Sequence, residues 1–118
     1  MGYDFKVKRV YAPPAADDGK RILVDRIWPR GLTKTEAALT LWLKDIAPSA
    51  ALRKWFGHDQ ARWPEFQRRY RAELDANQES VDRLRGLLRT GRATLLYGAR
   101  DEEHNNALVL ADYVNEGT

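Results

Sequence analysis

Two stretches of the sequence place ionisable side chains directly after apolar segments. The first stretch, residues 25–30, follows the apolar run Ile22-Leu23-Val24. The second stretch, residues 97–105, follows Leu95-Leu96. Ionisable groups beside a dry core are paired, solvated or used in function, because an unpaired buried charge is costly. We therefore expect a functional site that is built from these two stretches.

Three arginines in these stretches favour the binding of an anion. Arg26, Arg30 and Arg100 can each donate forked hydrogen bonds to a phosphate or a carboxylate. Trp28 and Tyr97 lie close to them in the sequence, and Trp28 is expected to line the pocket. The predicted ligand is therefore a small anion that carries a phosphate or a carboxylate.

Catalysis at the same site would depend on two carboxylates and a histidine. Asp25 or Asp101 would act as the general base and His104 as the acid, since histidine titrates near neutral pH. Such a pair would suit a hydrolysis or a group transfer. The alternative is a structural network that ties two strand ends together. Its ion pairs would be Asp25 with Arg100, or Arg26 with Asp101.

A metal or cofactor site is not predicted. His58, His104 and the acidic residues 101–103 offer suitable donor atoms, but no pair of them has the spacing of an established metal-binding motif. Asp101 is instead expected to cap a final helix whose first turn holds Glu102 and Glu103. The sequence also contains no serine nucleophile elbow, no phosphate loop and no dinucleotide-binding glycine pattern.

Strands must carry the two charged stretches to one place. Residues 5–11 alternate between apolar and charged side chains, which predicts a strand near the edge of a sheet. Residues 20–27 and 93–99 contain continuous apolar runs, which predict strands that are covered on both faces. Residues 39–43 suit either a strand or a helix.

Helices are predicted between and after these strands. Thr33 and Glu36 have the spacing of a capping box, which predicts a short helix over residues 34–38. Further helices are expected from the Ser49 cap to Gly57, over 64–76 and over 79–89. Long connections that contain helices lay strands parallel and place the helices on the sheet.

The predicted fold is α/β. One domain over residues 1–118 would contain a small sheet of three or four mostly parallel strands, covered by about five helices. Ligand sites in such folds lie beyond the carboxyl ends of the strands. Residues 25–30 and 97–105 would meet there if their strands are neighbours. Gly98 would let a ligand approach the strand end closely, because it has no side chain.

The composition is that of an ordinary soluble protein. The chain has 118 residues, 43% of them hydrophobic, a net charge of +3 and no cysteine, which excludes disulfides and thiolate chemistry. No stretch reaches the ~20 apolar residues of a membrane span. Residues 1–6 lack the apolar segment of a signal peptide. The expected location is the cytoplasm, with no membrane partner.

Two other function classes remain open. A sequence pI near 9.3 and the arginines within residues 62–71 raise the hypothesis of a nucleic-acid-binding accessory protein. The fourfold spacing of Glu65, Arg69 and Glu73 is more typical of a solvated helix face. The third class is a non-catalytic structural or partner-binding domain. The sequence does not predict an oligomeric state.

Four motifs in this chain resemble a known bacterial family. They are Val24-Asp25-Arg26-Ile27-Trp28-Pro29-Arg30-Gly31-Leu32, Trp42-Leu43-Lys44-Asp45-Ile46-Ala47-Pro48-Ser49, Leu52-Arg53-Lys54-Trp55-Phe56-Gly57-His58-Asp59 and Ala99-Arg100-Asp101-Glu102-Glu103-His104-Asn105. Together they resemble the YeaO-like branch of the domain-of-unknown-function 488 family over nearly the whole chain. The resemblance implies a small α/β protein with no assigned activity. It also implies that His58 and Asn105 belong to one site with residues 25–30 and 100–104.

Overall fold

A four-stranded, entirely parallel sheet forms the centre of the computed structural model, which describes residues 3–116. The strands are β1 (Phe5–Arg9), β2 (Lys20–Leu23), β3 (Leu41–Trp42) and β4 (Ala93–Tyr97), in the spatial order β1-β4-β2-β3. The helices in these residues are α1 (Lys34–Ala37), α2 (Ala50–Phe56), α3 (Trp63–Asp75), α4 (Gln78–Arg89) and α5 (Asn106–Glu116). The predicted α/β fold is confirmed. Residues 1–2 and 117–118 lie outside the described residues. The expectation that residues 1–6 do not form a signal peptide therefore falls partly outside them.

The strands β2 and β4 are neighbours that run in the same direction. Ile22 lies opposite Leu95, and Leu23 lies opposite Leu96. All four side chains are at most 1% exposed, and burying each of them stabilises the fold by about 1.5–3 kcal/mol. β1 lies at the edge of the sheet, as its alternating lysines predicted. The two charged stretches therefore leave the sheet at the same edge.

The two faces of the sheet are covered differently. Helices α2 to α5 pack on the face that carries Ile22 and Leu95. The other face carries Leu23 and Leu96, and it is covered by α1 and by the ring of Trp28. No helix within residues 3–116 is long and apolar enough to cross a membrane.

The strands predicted over 5–11 and 93–99 end at Arg9 and Tyr97, and three further differences concern β2, β3 and the last helix. The predicted strand over 20–27 ends at Leu23, and its sheet bonding stops where the Val24 amide donates to the Leu96 carbonyl. Residues 41–42 form the short strand β3 and not a helix. The last helix begins at Asn106, and the Asn105 side chain caps it by accepting from the Leu108 amide. The prediction that Asp101 caps this helix was wrong, because Asp101 accepts from the backbone of the preceding turn.

A buried ion cluster lies on the α1 face of the sheet. Asp18 is 1% exposed, and its Oδ2 atom lies 2.6 Å from Nη1 of Arg21, which is 5% exposed. Lys6 and Lys8 approach the same carboxylate at 3.0 and 3.1 Å. The Arg21 guanidinium also donates to the Ala37 carbonyl at the end of α1. This cluster fixes the β1–β2 connection and α1 against β2.

Candidate functional site

A cavity of about 220 Å³ lies beyond the carboxyl ends of β2 and β4. Its polar lining comes from Asp25, Arg26, Arg53, His58, His104, Asn105 and Asn106. Its apolar lining comes from Ile27, Pro48, Phe56, Phe66 and Ala99, and Gly98 completes it. The position is the one at which parallel α/β sheets bind ligands.

Asp25 joins the two strand ends at the bottom of this site. Its Oδ2 atom accepts a hydrogen bond of 2.8 Å from the Gly98 amide. A Cβ atom at Gly98 would lie 3.2 Å from the same oxygen, so a glycine there leaves room for the carboxylate. Oδ1 makes no hydrogen bond of good geometry within residues 3–116, although the Asn106 side chain lies close enough to lower the pKa of this carboxyl group. Asp25 lines the cavity, and Oδ1 is not among the buried, unpaired polar atoms of these residues, so it is the oxygen that is left for a ligand.

Burial raises the pKa of the Asp25 carboxyl group. The Gly98 amide and the Asn106 side chain act in the opposite direction, although the Asn106 Nδ2 atom donates to the Val24 carbonyl at 2.9 Å. The charges of Arg53 and His58 also lower this pKa. The net rise shows that desolvation outweighs the stabilisation that the surrounding residues give to the charged form.

The two arginines of the cavity are held differently. Arg26 donates from Nε to the Pro48 carbonyl at 3.0 Å and from Nη2 to the Ala47 carbonyl at 3.1 Å. These bonds fasten the segment after β2 to the start of α2, while Nη1 of Arg26 keeps its donors. Arg53 lies on the exposed face of α2 and makes no side-chain hydrogen bond or ion pair within the described residues. Arg53 is thus a cation at the cavity without a counter-charge bonded to it.

Helix α2 positions Arg53 because its amino end is anchored on α3. The backbone amide and the hydroxyl of Ser49 donate to the two carboxylate oxygens of Glu73, at 2.8 and 2.7 Å. The Ser49 hydroxyl also accepts from the Leu52 amide as an N-cap. Phe56, one turn after Arg53, stacks on Phe66 with the ring centroids 4.4 Å apart. These two rings form the aromatic wall of the cavity.

His104 is oriented by Asp101. Its Nδ1 atom lies 2.9 Å from Oδ2 of Asp101, and its ring lies nearly perpendicular to the ring of Trp63, with the ring centroids 5.2 Å apart. Backbone hydrogen bonds from Glu103 and His104 lower the pKa of the Asp101 carboxyl group. Asp101 itself does not line the cavity. Its one side-chain contact with a described lining residue of the cavity is therefore the contact with His104.

Five of the predicted site residues meet at the cavity. They are Asp25, Arg26, His58, His104 and Asn105. His58 is exposed and follows Gly57, and both residues have left-handed backbone conformations, with φ of 58° and 52°. Asn105 is 2% exposed and combines lining the cavity with capping α5.

Trp28 lies on the opposite face of the sheet and does not line the cavity. Its indole Nε1 donates to the Leu32 carbonyl at 2.7 Å, and its ring packs edge-on against Trp42. Pro29 and the turn after it bring the chain back over the second face. The half-buried apolar ring packs there against the core that contains Leu23 and Leu96, which is favourable because it removes apolar surface from water.

Arg30, Tyr97 and Arg100 also lie outside the cavity. Arg30 is exposed, and its carbonyl accepts from the Tyr11 hydroxyl. Tyr97 and Arg100 line a separate, more open groove beside β1 together with Arg9. Neither of the ion pairs expected for a structural network, Asp25 with Arg100 or Arg26 with Asp101, is present among residues 3–116.

Five cavity residues lie outside the predicted site: Pro48, Arg53, Phe56, Phe66 and Asn106. Helical spacing places Arg53 and Phe56 on neighbouring positions three residues apart. This spacing, together with His58 directly after the glycine that ends the helix, indicates that the helix could form a polar and aromatic wall of a cavity. A charged residue on a short helix is usually solvated, so the signal is weak.

Comparison with known proteins identifies the family. A family model described as the inactive DUF488-N3 subclade matches residues 4–118. The chain belongs to this family. It is 44% identical to the uncharacterized protein YeaO of Escherichia coli K12 over 111 residues, which cover 94% of this chain and 96% of YeaO. It is 40% identical to the uncharacterized protein Rv3073c of Mycobacterium tuberculosis H37Rv over 110 residues, which cover 93% of this chain and 92% of the relative.

The YeaO-like resemblance of the four motifs is thereby confirmed. No solved structure matches this chain with significant similarity. In this DUF488 protein the cavity brings together two guanidinium groups, one carboxylate and two imidazoles. Such a set can bind an anionic group, and it can accept a hydrogen bond from a neighbouring part of the same ligand. Among residues 3–116, no group of three or more His, Cys, Asp or Glu side chains is arranged to hold a metal ion.

Proposed function

We propose that this DUF488 protein binds a small anionic ligand, with a phosphate or a carboxylate group, in the cavity at the carboxyl ends of β2 and β4. The observation that carries the proposal is the position of Arg53. Its guanidinium lines the cavity without a bonded partner within the described residues. An arginine in that state has all of its forked donors available for an anion.

The charge of the cavity supports an anionic ligand. Arg26 and Arg53 contribute two positive charges, and Asp25 is the only carboxylate among the described lining residues. The aromatic wall of Phe56 and Phe66 lowers the local dielectric, which strengthens a charge-assisted hydrogen bond. A volume of about 220 Å³ is below the roughly 300–1,000 Å³ of pockets for drug-sized ligands. The ligand is therefore a small one.

Binding without turnover is the version that we favour. The described lining residues include no serine, threonine, cysteine, tyrosine or lysine that could act as a nucleophile. Asp101, one of the two predicted general bases, lies outside the cavity and is bonded to His104. The family is described as inactive. A hydrolase or a transferase would have to rely on Asp25 and His104 alone.

The arginines of α3 offer little to a nucleic acid. Arg68 and Arg69 both bond to Glu65, and Arg71 bonds to Glu116. Arg69 also stacks over the ring of Trp55, 4.1 Å from its centroid. These pairings are those of a solvated helix face, so no observation favours the nucleic-acid alternative.

Calorimetric titration of an Arg53→Ala variant tests the proposal. The probes are inorganic phosphate, glycerol 3-phosphate and glycerate. A thermal-shift screen with the same probes comes first, because a ligand at a hundredfold excess over its Kd stabilises the folded state by about 2.7 kcal/mol. Loss of a charge-assisted hydrogen bond is expected to weaken binding about 10- to 100-fold. Incubation of the protein with glycerol 3-phosphate should release no inorganic phosphate.

Lys54→Ala is the matched control. Lys54 is the next residue of α2, is exposed, and does not line the cavity. The control variant should bind each probe as tightly as the unchanged protein. The proposal is wrong if none of the probes binds, or if Arg53→Ala and Lys54→Ala weaken binding equally.

A further inference from the structure

We infer that the ligand carries a hydroxyl group beside its anionic group, and that Asp25 recognises this hydroxyl. The ligand class is then a small hydroxy acid or a phosphorylated polyol. The inference rests on the proposed anion site and specifies what that site selects.

Asp25 has one engaged oxygen and one free oxygen. The Gly98 amide donates to Oδ2, which fixes the plane of the carboxylate at the junction of the two strand ends. Oδ1 makes no hydrogen bond of good geometry within residues 3–116 and is not among the buried, unpaired polar atoms there. The Asn106 amide donates one of its two hydrogens to the Val24 carbonyl and lies close enough to Asp25 to lower the pKa of its carboxyl group, but a carboxylate oxygen has two lone pairs and can accept a further donor. Because Asp25 lines the cavity, this oxygen is an acceptor available to a bound molecule.

A ligand that fills the cavity must replace the water around this oxygen. A carboxylate that loses water without gaining a donor is costly to bury. A ligand with a donor group satisfies Oδ1, whereas an otherwise equal ligand without one leaves it unpaired. The site consequently discriminates in favour of ligands that can donate a hydrogen bond at this position.

The charges of the cavity favour a hydroxyl over an ammonium group as that donor. Arg26, Arg53 and Asp25 together give a net charge of +1 when the histidines are neutral. A hydroxylated monoanion brings this sum to zero, while a zwitterion leaves it at +1. The aromatic wall of Phe56 and Phe66 offers an apolar surface to the carbon skeleton between the two polar groups. The cavity is thus complementary to an anion, a short carbon chain and a hydroxyl.

Matched ligand pairs test this inference by isothermal titration calorimetry. Glycerate is compared with propionate, and glycerol 3-phosphate with n-propyl phosphate, so that each pair differs in its hydroxyl groups. β-Alanine is included as a ligand of similar size that carries an ammonium group in place of the hydroxyl groups. We expect each hydroxylated ligand to bind about 10- to 100-fold more tightly than its partner, and more tightly than β-alanine.

The variant Asp25→Asn assigns the preference to Asp25. Asparagine can still accept from the Gly98 amide with its oxygen, but it turns an NH₂ donor toward the cavity in place of an acceptor. The hydroxyl preference should therefore fall to less than about threefold, while anion binding through Arg53 persists. Asp82→Asn, an exposed change on α4, should leave the preference unchanged. Circular dichroism and thermal unfolding establish that each variant is folded.

The outcomes separate this inference from the proposed function. Absence of binding by every anion contradicts both. Equal binding within each ligand pair by the unchanged protein overturns the hydroxyl inference and leaves the anion site standing, and this comparison needs no variant. A preference that survives in Asp25→Asn, or tighter binding of β-alanine than of glycerate, also overturns it.

Discussion

The substitution Asp18→Asn should lower the free energy of unfolding by about 3–5 kcal/mol, the range for removing one partner of a buried ion pair. The Asp18 side chain is 1% exposed, and Nη1 of Arg21 lies 2.6 Å from its Oδ2 atom. The Arg21 side chain is itself only 6% exposed. Asparagine keeps the shape of the side chain but removes its charge, so the guanidinium of Arg21 would remain buried without a counter-charge.

The pH dependence of this effect has a defined sign. Burial raises the pKa of Asp18, but hydrogen bonds from the Ala15 amide, Lys6, Lys8 and Arg21 outweigh burial and hold it well below its ordinary value of 3.8. A group with a lowered folded-state pKa contributes stability that is present above its unfolded pKa and is lost as the pH falls below it. The difference between the unchanged protein and Asp18→Asn should stay constant from pH 7 to about pH 5 and narrow below about pH 4.

Urea unfolding followed by circular dichroism at a series of pH values measures both effects. Asp17→Asn is the matched control, because the Asp17 side chain is 65% exposed and its one ion pair, with Lys6, lies on the surface. Its cost should be below about 1 kcal/mol. A cost for Asp18→Asn that is no larger than that of Asp17→Asn would refute the reasoning, as would a difference that widens in acid.

Two further substitutions have expected outcomes in the same unfolding assay. Burial raises the folded-state pKa of Asp25, so the charge of this carboxylate disfavours folding at neutral pH. The variant Asp25→Asn should therefore be at least as stable as the unchanged protein at pH 7. Its advantage in unfolding free energy should disappear as the pH falls to 3.8 and below. Gly19→Ala should lower the unfolding free energy by more than the roughly 1–2 kcal/mol of a left-handed backbone alone, because a Cβ atom at Gly19, where φ is 64°, would lie 2.2 Å from the Arg92 carbonyl oxygen. Gly31→Ala is its control, since φ is 83° there but no atom lies within 4 Å of the added Cβ, and an equal cost for both variants would show that the clash is absent.

Local signals in the sequence predicted the elements whose causes are local. The Thr33 hydroxyl accepts from the Glu36 amide and the Glu36 carboxylate accepts from the Thr33 amide, as the capping box required. Gly57 ends α2 in the left-handed conformation, which glycine adopts readily at the carboxyl end of a helix. The continuous apolar runs of β2 and β4 predicted two strands that are covered on both faces, because such strands leave no side for polar residues. That the two strands are neighbours was a condition of the sequence argument, and the sheet order supplies it.

The sequence did not predict which residue caps the last helix or where the Trp28 ring packs, because both depend on tertiary contacts. Asp101 and Asn105 are both good capping residues, and nothing local decides between them. In the fold, Asp101 accepts from the turn before the helix, and Asn105 becomes the cap. Trp28 lies within the stretch 25–30, but its half-buried ring packs on the opposite face, where a second core beneath α1 is available. Sequence proximity to Asp25 and Arg26 could not show on which face of the sheet the ring would lie.

The predicted cluster of three arginines failed for a geometric reason. Arg30 and Arg100 leave the strand ends away from the cavity and are exposed, whereas Arg26 is directed inward and donates to two backbone carbonyls of the β3–α2 connection. The unpaired cation comes instead from Arg53 on a helix that packs across the strand ends. In the proposed site the parallel sheet would provide the acceptor, Asp25, and the helix that covers it would provide the donor, Arg53. Strand ends alone therefore contain only half of the proposed site.

The contrast between Asp18, which is buried, and Asp25, which is half-buried, is the strongest physical reason for proposing a ligand beside Asp25 and not beside Asp18. Asp18 receives hydrogen bonds from a backbone amide and three cationic side chains, and its pKa is lowered, so its demand for donors is met within the protein. Asp25 receives one backbone amide on one oxygen, and burial leaves its pKa raised. The proposed ligand would give this carboxylate the hydrogen-bond donor that the residues around it do not supply. For Asp18 the reverse holds, so removing its charge should cost stability and leave ligand binding unchanged.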